Sequence, residues 1–265
     1  MRFCSIASGS SGNSIYVGSE ATHLLVDAGI SGKRIDAGLE QLDISPRDID
    51  GILITHEHSD HIQGLGVMAR KYHIPIYATP GTLQQIRSYN FLGKIDEELF
   101  RTVEADKSFS IKDLKIKPMK ISHDAAQPVG YRIACGKKKM AICTDLGFYN
   151  EYIVDCLRGL NALLIEANHD VNMLQVGPYP YPLKQRILSD RGHLSNENCG
   201  RLLCEVLHDD LNTIVLGHLS QENNMPELAF ETVRMEINMS KVHYKAGDFD
   251  IRVAKRNEVS QPVII

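Results

Sequence analysis

Five short apolar runs, each stopping at an ionisable residue, constrain this chain more than any other feature: HLLVDAG, GILITHEH, KMAICTDLG, NALLIEANHD and NTIVLGHLS. Each holds four to six apolar residues rich in Val, Ile and Leu, the length and composition of a strand covered on both faces. The carboxylate or imidazole comes where the apolar residues stop. Five such strand ends would deliver polar side chains to one rim, where open α/β sheets hold their ligands.

Between these runs lie helical signals. SGKRIDAGLEQL and DHIQGLGVMARKY place apolar residues at three- and four-residue spacing, with two glycines weakening the second. SNENCGRLLCEVLHDD begins with Ser195 or Asn196 as an N-cap, and MPELAFETVRMEI has Pro226 in its first turn. SFSIKDLKIKPMKI reads as a hairpin turning at Lys112 and Asp113, and GYRIACGKKKMAICT as two strands around a solvated GKKK turn. The strand-and-helix rhythm recurs in both halves with no linker between them. It predicts a four-layer α/β/β/α sandwich forming a single domain over residues 1–265.

Composition narrows the setting. No stretch of eighteen apolar residues and no leader-like start is visible, so a soluble chain without a membrane partner is expected. Six cysteines without a Cys-x-x-Cys pair, mostly in apolar contexts, read as reduced thiols of a cytoplasmic protein. A net charge of −4 gives no global attraction to nucleic acid, so any phosphate-binding surface must be local.

The densest chemistry is THEHSDH, residues 55–61, with His56, His58, Asp60 and His61 inside six positions. In extended backbone His56 and His58 point to the same side and can share one cation, while Asp60 and His61, at the turn into a helix, can reach a second. Imidazole and carboxylate suit Zn²⁺ and also accept Mn²⁺ or Fe²⁺.

This motif resembles the HxHxDH signature of the metallo-β-lactamase superfamily, and further motifs follow in the family's order over nearly the whole chain. The resemblance implies two divalent ions, zinc foremost. His56, His58 and His123 of ISHDA would hold one, Asp60, His61 and a further histidine the other, and Asp145 of CTDLG would bridge. Asp27 of LLVDAG would orient a ligand.

The tripeptide HLS occurs twice, at 193–195 and 218–220. His218 ends an apolar run, where family topology places the last metal ligand. His193 instead precedes a predicted helix, whose amino end favours an anion, and has Lys184, Arg186 and Arg191 nearby in sequence. Its setting is similar to that in tRNase Z and related phosphodiesterases, where such a histidine meets the scissile phosphate and a glutamate pairs with it. Glu166 of LLIEAN occupies the matching place. With Asp60, the Glu166–His193 pair makes up the expected catalytic set, His193 as general acid to the leaving oxygen. His169 is left either lining the cleft or on the surface.

Metal-activated hydroxide attacks carbonyl or phosphorus alike. Aspartate rather than cysteine at 145 and the His193–Glu166 pairing favour phosphorus. So does ASGSSGNS, residues 7–14, where Ser10, Ser11 and Asn13 can offer hydroxyls and N–H groups to phosphate. A tight turn between two strands explains that segment equally. The whole opening, FCSIASGSSGNSIYV, resembles that of the YycJ/WalJ group of bacterial metallo-β-lactamase-fold proteins. That resemblance implies a phosphodiesterase with DNA as its partner and 5′-to-3′ exonuclease activity on duplexes. GPYPYPLKQR offers a nucleic-acid surface, Tyr179 and Tyr181 stacking while Lys184 and Arg186 meet phosphates, or else a proline-stiffened loop covering the core. The alternatives are a small-molecule hydrolase of a cyclic phosphodiester, thioester or lactone, and a non-catalytic protein that kept the fold.

Overall fold

The structure, a computed structural model, describes all residues 1–265. Its strands form two seven-stranded sheets. The first contains β1 (Arg2–Ala7), β2 (Ser14–Gly18), β3 (His23–Val26), β4 (Gly51–Leu53), β5 (Ile76–Ala78) and β6 (Phe100–Thr102). The second contains β7 (Phe109–Ile111), β8 (Leu114–Lys120), β9 (Val129–Cys135), β10 (Lys138–Cys143), β11 (Ala162–Glu166), β12 (Thr213–Gly217) and β13 (Asp250–Val253) in one continuous order, and β14 (Val263–Ile264) returns to the edge of the first beside β1. The helices are α1 (Gly32–Glu40), α2 (Ser59–Ile62), α3 (Leu65–Tyr72), α4 (Pro80–Ser88), α5 (Glu151–Leu157), α6 (Val171–Val176), α7 (Tyr181–Leu188), α8 (Asn196–Val206) and α9 (Pro226–Met239).

Three buried clusters set the layers. Phe3, Ile15, Val17 and Leu24 of the first sheet meet Tyr131, Ile142, Leu164 and Val215 of the second between the sheets. Ile35 and Leu39 of α1 and Met68 of α3 cover the outer face of the first sheet. Leu202 and Leu203 of α8 and Val233 and Ile237 of α9 cover that of the second. The sequence is therefore read correctly as an α/β/β/α sandwich, and β11 and β12 are buried along their whole length, as continuous apolar runs require.

Parallel register builds the rim. Cys143 lies opposite Ile165, and Ile165 opposite Leu216, so the residues that follow emerge side by side: Asp145, Glu166 and His218. In the first sheet Val26 pairs with Leu53, which brings Asp27 alongside Thr55 and His56. Asp27, Asp145 and His218 all take left-handed backbone, with φ of 62°, 58° and 55°. That geometry costs roughly 1 kcal/mol or more per non-glycine residue and is concentrated where function over-determines the backbone.

Three local expectations are corrected. The helix expected from DHIQGLGVMARKY is two, α2 and α3, because Gly64 between them packs on main chain: a Cβ there would lie 2.1 Å from the Ile30 carbonyl oxygen. Only Gly136 and Lys137 turn the β9–β10 hairpin, since Cys135 already pairs with Lys138. GPYPYPLKQR runs into helix α7, with proline in its first turn, where the missing N–H has no helical partner to lose. The six cysteines are free thiols. No helix is long and apolar enough to cross a membrane.

Candidate metal centre

The rim residues converge into overlapping groups whose ligand atoms lie within 4.8 Å of one another: His56, His58 and His123; Asp60, His61 and His218; His56, His61 and Asp145; and Asp145, Glu166, His193 and His218. Imidazole rings crowd here at centroid separations of 4.1 Å for His56–His61 and 5.4 Å for His61–His218.

Outer hydrogen bonds aim the rings. Asp27 is fully buried and accepts a hydrogen bond from His61 Nδ1–H at 2.8 Å. Its two oxygens also accept from the Thr55 N–H at 2.8 Å and the Thr55 hydroxyl at 2.9 Å. With Nδ1 donating to Asp27, the Nε2 atom of His61 faces the centre, 3.4 Å from Asp60 and 3.3 Å from Asp145, and is the atom a metal would take in place of a proton. His123 donates Nδ1–H to the Gly192 carbonyl at 3.0 Å, which likewise frees Nε2, 3.3 Å from His58 Nδ1.

The charge balance calls for cations. Burial, reinforced by His61, His123 and His58, holds His56 well below the usual histidine range, and burial lowers His123, so both are neutral and can donate lone pairs. Burial works against ionising Asp145, yet the surrounding His218, His61 and His56 outweigh it and keep the carboxyl well below its ordinary range. Burial also opposes charge on His61, but Asp145, Asp60 and Asp27 hold a proton on it regardless. Three carboxylates that retain a proton on a fully buried imidazole supply the field a divalent ion needs. His56 Nε2, Asp145 Oδ2 and His218 Nδ1 are buried without hydrogen-bond partners. Buried atoms of this type normally have partners, and lone pairs converging without protons are what a metal satisfies.

Beside these groups, His193 Nδ1 lies 2.8 Å from Glu166 Oε1. Glu166 is fully buried, and its other oxygen accepts from the Leu146 and Leu194 N–H groups at 2.8 and 3.0 Å. Burial depresses the His193 imidazole, but Glu166 more than reverses this and raises it to about 9. Ser195, two residues on, accepts from Asn198 N–H and caps α8.

A cleft of about 270 Å³ opens over the site, lined among others by Ser10, Tyr179 and Arg186. The remaining phosphate candidates lie elsewhere. Asn13 is fully buried, bonded to Gly9 through both main-chain groups, and its Nδ2 sits 3.3 Å from the Asp60 carbonyl and 3.2 Å from His61 Nε2. It therefore tethers the glycine-serine loop to the metal-ligand segment and has no free donor for substrate. Ser11 is exposed and does not line the cleft. Lys184 is away from the cleft, its ammonium donating to the Gln175 carbonyl at 2.7 Å. Tyr181 is 72% exposed at the start of α7 and covers no core. His169 is buried and outside the cleft lining, so neither placement expected of it holds.

Sequence reasoning missed Asp124, whose Oδ1 lies 3.4 Å from His123 Nε2 and whose Oδ2 accepts from Arg186. Its position directly after His123 in ISHDA was the available signal. It also missed Asn168, which lines the cleft with no motif to mark it, and Ser220, which lines it too and is the serine of the second HLS segment, whose histidine alone was given a role.

Residues 22–214 match the family described as beta-lactamase superfamily domain. The chain is 43% identical over 231 residues to exodeoxyribonuclease YycJ of Bacillus anthracis, covering 86% of each chain. It is 44% identical over 232 residues to exodeoxyribonuclease WalJ of Streptococcus pneumoniae serotype 2, covering 88% of this chain and 86% of that one. Among solved structures, Zn²⁺-bound PqqB of Methylobacterium extorquens shares the fold, with a TM-score of 0.73 at 16% identity and both chains covered in full.

Proposed function

Because this chain belongs to the metallo-β-lactamase superfamily, and within it to the YycJ/WalJ group, we propose that it is a metal-dependent exodeoxyribonuclease hydrolysing duplex DNA from the 5′ end. The observation that carries the phosphodiesterase reading is the Glu166–His193 pair beside the ligand groups, with His193 and Asp145 lining one cleft. A small-molecule hydrolase is not favoured, since the relatives at 43% and 44% identity are named exodeoxyribonucleases.

In this reading His56, His58 and His123 would hold one divalent ion and Asp60, His61 and His218 the other, with Asp145, which belongs to groups on both sides, as the ligand they would share. Zinc suits the imidazole and carboxylate donors best, with manganese or iron also compatible. When bound, the ions supply Lewis acidity that makes water nucleophilic near neutral pH and offsets phosphoryl charge.

The chain's own residues do the rest. Asp27 fixes the tautomer and angle of His61 through a 2.8 Å bond. Glu166 keeps His193 protonated on Nδ1 and charged at neutral pH, which leaves Nε2–H to donate to the leaving oxygen. Ser10, Tyr179 and Arg186 line the path of the strand, with Arg186 held by Asp124 until a phosphate competes for it. The free thiols fit a cytoplasmic setting.

The test compares wild type, Asp60→Ala and His193→Ala on a 5′-phosphorylated duplex after metal quantification. Asp60→Ala should lose metal and cleavage together, whereas His193→Ala should keep metal and lose cleavage. A metal-loaded His193→Ala protein that cleaves at the wild-type rate would remove the assigned role.

A further inference from the structure

Three asparagines, Asn168, Asn196 and Asn224, are buried where the two HLS segments meet. Amides taken out of water need partners, and these find them in one another and in the main chain that carries His193 and His218. The residues after β11 form the spine of the arrangement. On one side the Ala167 N–H donates to the Gly217 carbonyl at 3.0 Å, the Ser220 N–H to the Asn168 carbonyl at 2.7 Å, and the Asn168 side-chain amide to the His218 carbonyl at 2.9 Å. On the other side the Asn168 N–H donates to the Leu194 carbonyl and the Asn196 N–H to the His169 carbonyl, both at 2.9 Å. The His193 segment therefore hangs from the spine by two main-chain bonds.

Asn224 ties all three segments together. Its Nδ2 donates to the Ala167 and Asn168 carbonyls at 2.9 and 3.0 Å and to Asn196 Oδ1 at 2.9 Å, while its Oδ1 accepts from Asn196 Nδ2 and from the Met225 N–H, each at 3.0 Å. The Asn196 and Asn224 amides thus donate to each other reciprocally, an arrangement that fixes both side chains. Two bonds leave a segment free to pivot about them, and the amide pair supplies a third point of attachment. The result is visible at the rim, where the His193 and His218 rings stack with centroids 5.4 Å apart and planes 23° from parallel.

We propose that the Asn196–Asn224 pair is a positioning device for proton transfer, holding the His193 segment at a fixed offset from the His218 segment so that His193 Nε2–H meets the leaving oxygen. The inference rests on the general-acid reading of His193 above. Neither asparagine lines the cleft, so both act through His193 rather than on substrate. Glu166 sets the charge and tautomer of the imidazole, and the amide pair sets its place. Placement is worth as much as charge, because a reacting group displaced by about 1 Å can lose about 10²-fold in rate.

The experiment measures single-turnover rates of metal-loaded protein on duplex DNA and on bis(p-nitrophenyl) phosphate. The deoxyribose oxygen released from DNA takes up a proton as its bond to phosphorus breaks, whereas a nitrophenolate leaves without one, so loss of the general acid slows the first reaction far more than the second. Asn196→Ala is the cleaner variant, since Asn224 keeps the Ala167, Asn168 and Met225 groups as partners. It should retain metal and lower the ratio of DNA to aryl diester cleavage by about tenfold or more. His193→Ala should show the same selective loss, and adding Asn196→Ala to it should slow DNA cleavage no further. Asn224→Ala should repeat the selective loss from the other side of the pair, and Asn196→Ala carries the test alone if that variant does not fold. Equal losses on both substrates, no loss on either, or a further loss on DNA in the double variant would overturn the positioning role. A His193→Ala protein with no selective loss would instead remove the general-acid reading, and the role of the pair with it.

Discussion

Replacing Glu166 separates the orientation of His193 from the packing beneath it. The buried carboxylate accepts three hydrogen bonds, from His193 Nδ1 at 2.8 Å and from the main-chain N–H groups of Leu146 and Leu194 at 2.8 and 3.0 Å. In Glu166→Ala both main-chain donors, on residues that are themselves buried, lose their acceptor. At about 1–3 kcal/mol each, this costs roughly 2–6 kcal/mol before any cavity is counted. Glutamine fills the same space. Its oxygen can take both main-chain N–H groups, and its amide then faces His193 Nδ1 as a donor. The ring must accept, so its proton moves to Nε2 and the imidazole is held neutral. Stability should fall by only about 1 kcal/mol, but the charged acid is lost. General acids contribute about 10²–10⁴-fold, so kcat should drop at least 10²-fold in both variants with metal content unchanged. Urea melts, metal quantification and single-turnover cleavage of a 5′-phosphorylated duplex read the three effects. A Glu166→Gln protein with full metal and wild-type kcat would refute the reasoning.

Asn13→Ala should weaken binding of one metal ion about 10–100-fold by freeing the segment that carries Asp60 and His61, measured by competition with a chelator; unchanged affinity would return Asn13 to a plain loop role. His169 provides a pH signature. Burial lowers its pKa to about 4, so the unfolded chain takes up the proton first as pH falls. The neutral ring's contribution is complete above the unfolded value of about 6.5 and is lost progressively as pH falls from there toward 4. Wild type should therefore lose about 2 kcal/mol more than His169→Gln between pH 7.5 and 5, and comparing the two cancels proton uptake by the ligand histidines. Parallel stability curves would count against it. Gly64→Ala should destabilise by about 1–3 kcal/mol through its clash with the Ile30 carbonyl, seen as a lower urea midpoint.

The rim was legible because a strand buried on both faces writes itself as an apolar run, and parallel register then brings the stops of neighbouring runs together. Asp145, Glu166 and His218 come side by side for that reason. The difference between the two HLS segments was legible on the same ground, one following a strand and the other preceding α8. Contacts made through space by residues without a pattern were not legible. Asn13 looked like part of a phosphate loop, yet its side chain is spent on Gly9 and on the segment carrying Asp60 and His61. The three prolines near Tyr179 read as loop, although one of them sits where a helix tolerates it. The break between α2 and α3 depends on how closely Gly64 approaches Ile30, which only the fold decides.

The proposed activity is removal of nucleotides from the 5′ ends of duplex DNA, with divalent metal held by the histidine and aspartate groups of the rim. The most direct measurement follows products over time from a duplex with one strand carrying distinguishable labels at its 5′ and 3′ ends, with chelated protein before and after divalent metal is restored. No reaction is expected in chelator and, on restoring metal, early release of short 5′-labelled product is expected while the 3′-labelled remainder shortens progressively. Intact DNA under metal-replete conditions, with a thioester or lactone turned over instead, would contradict it.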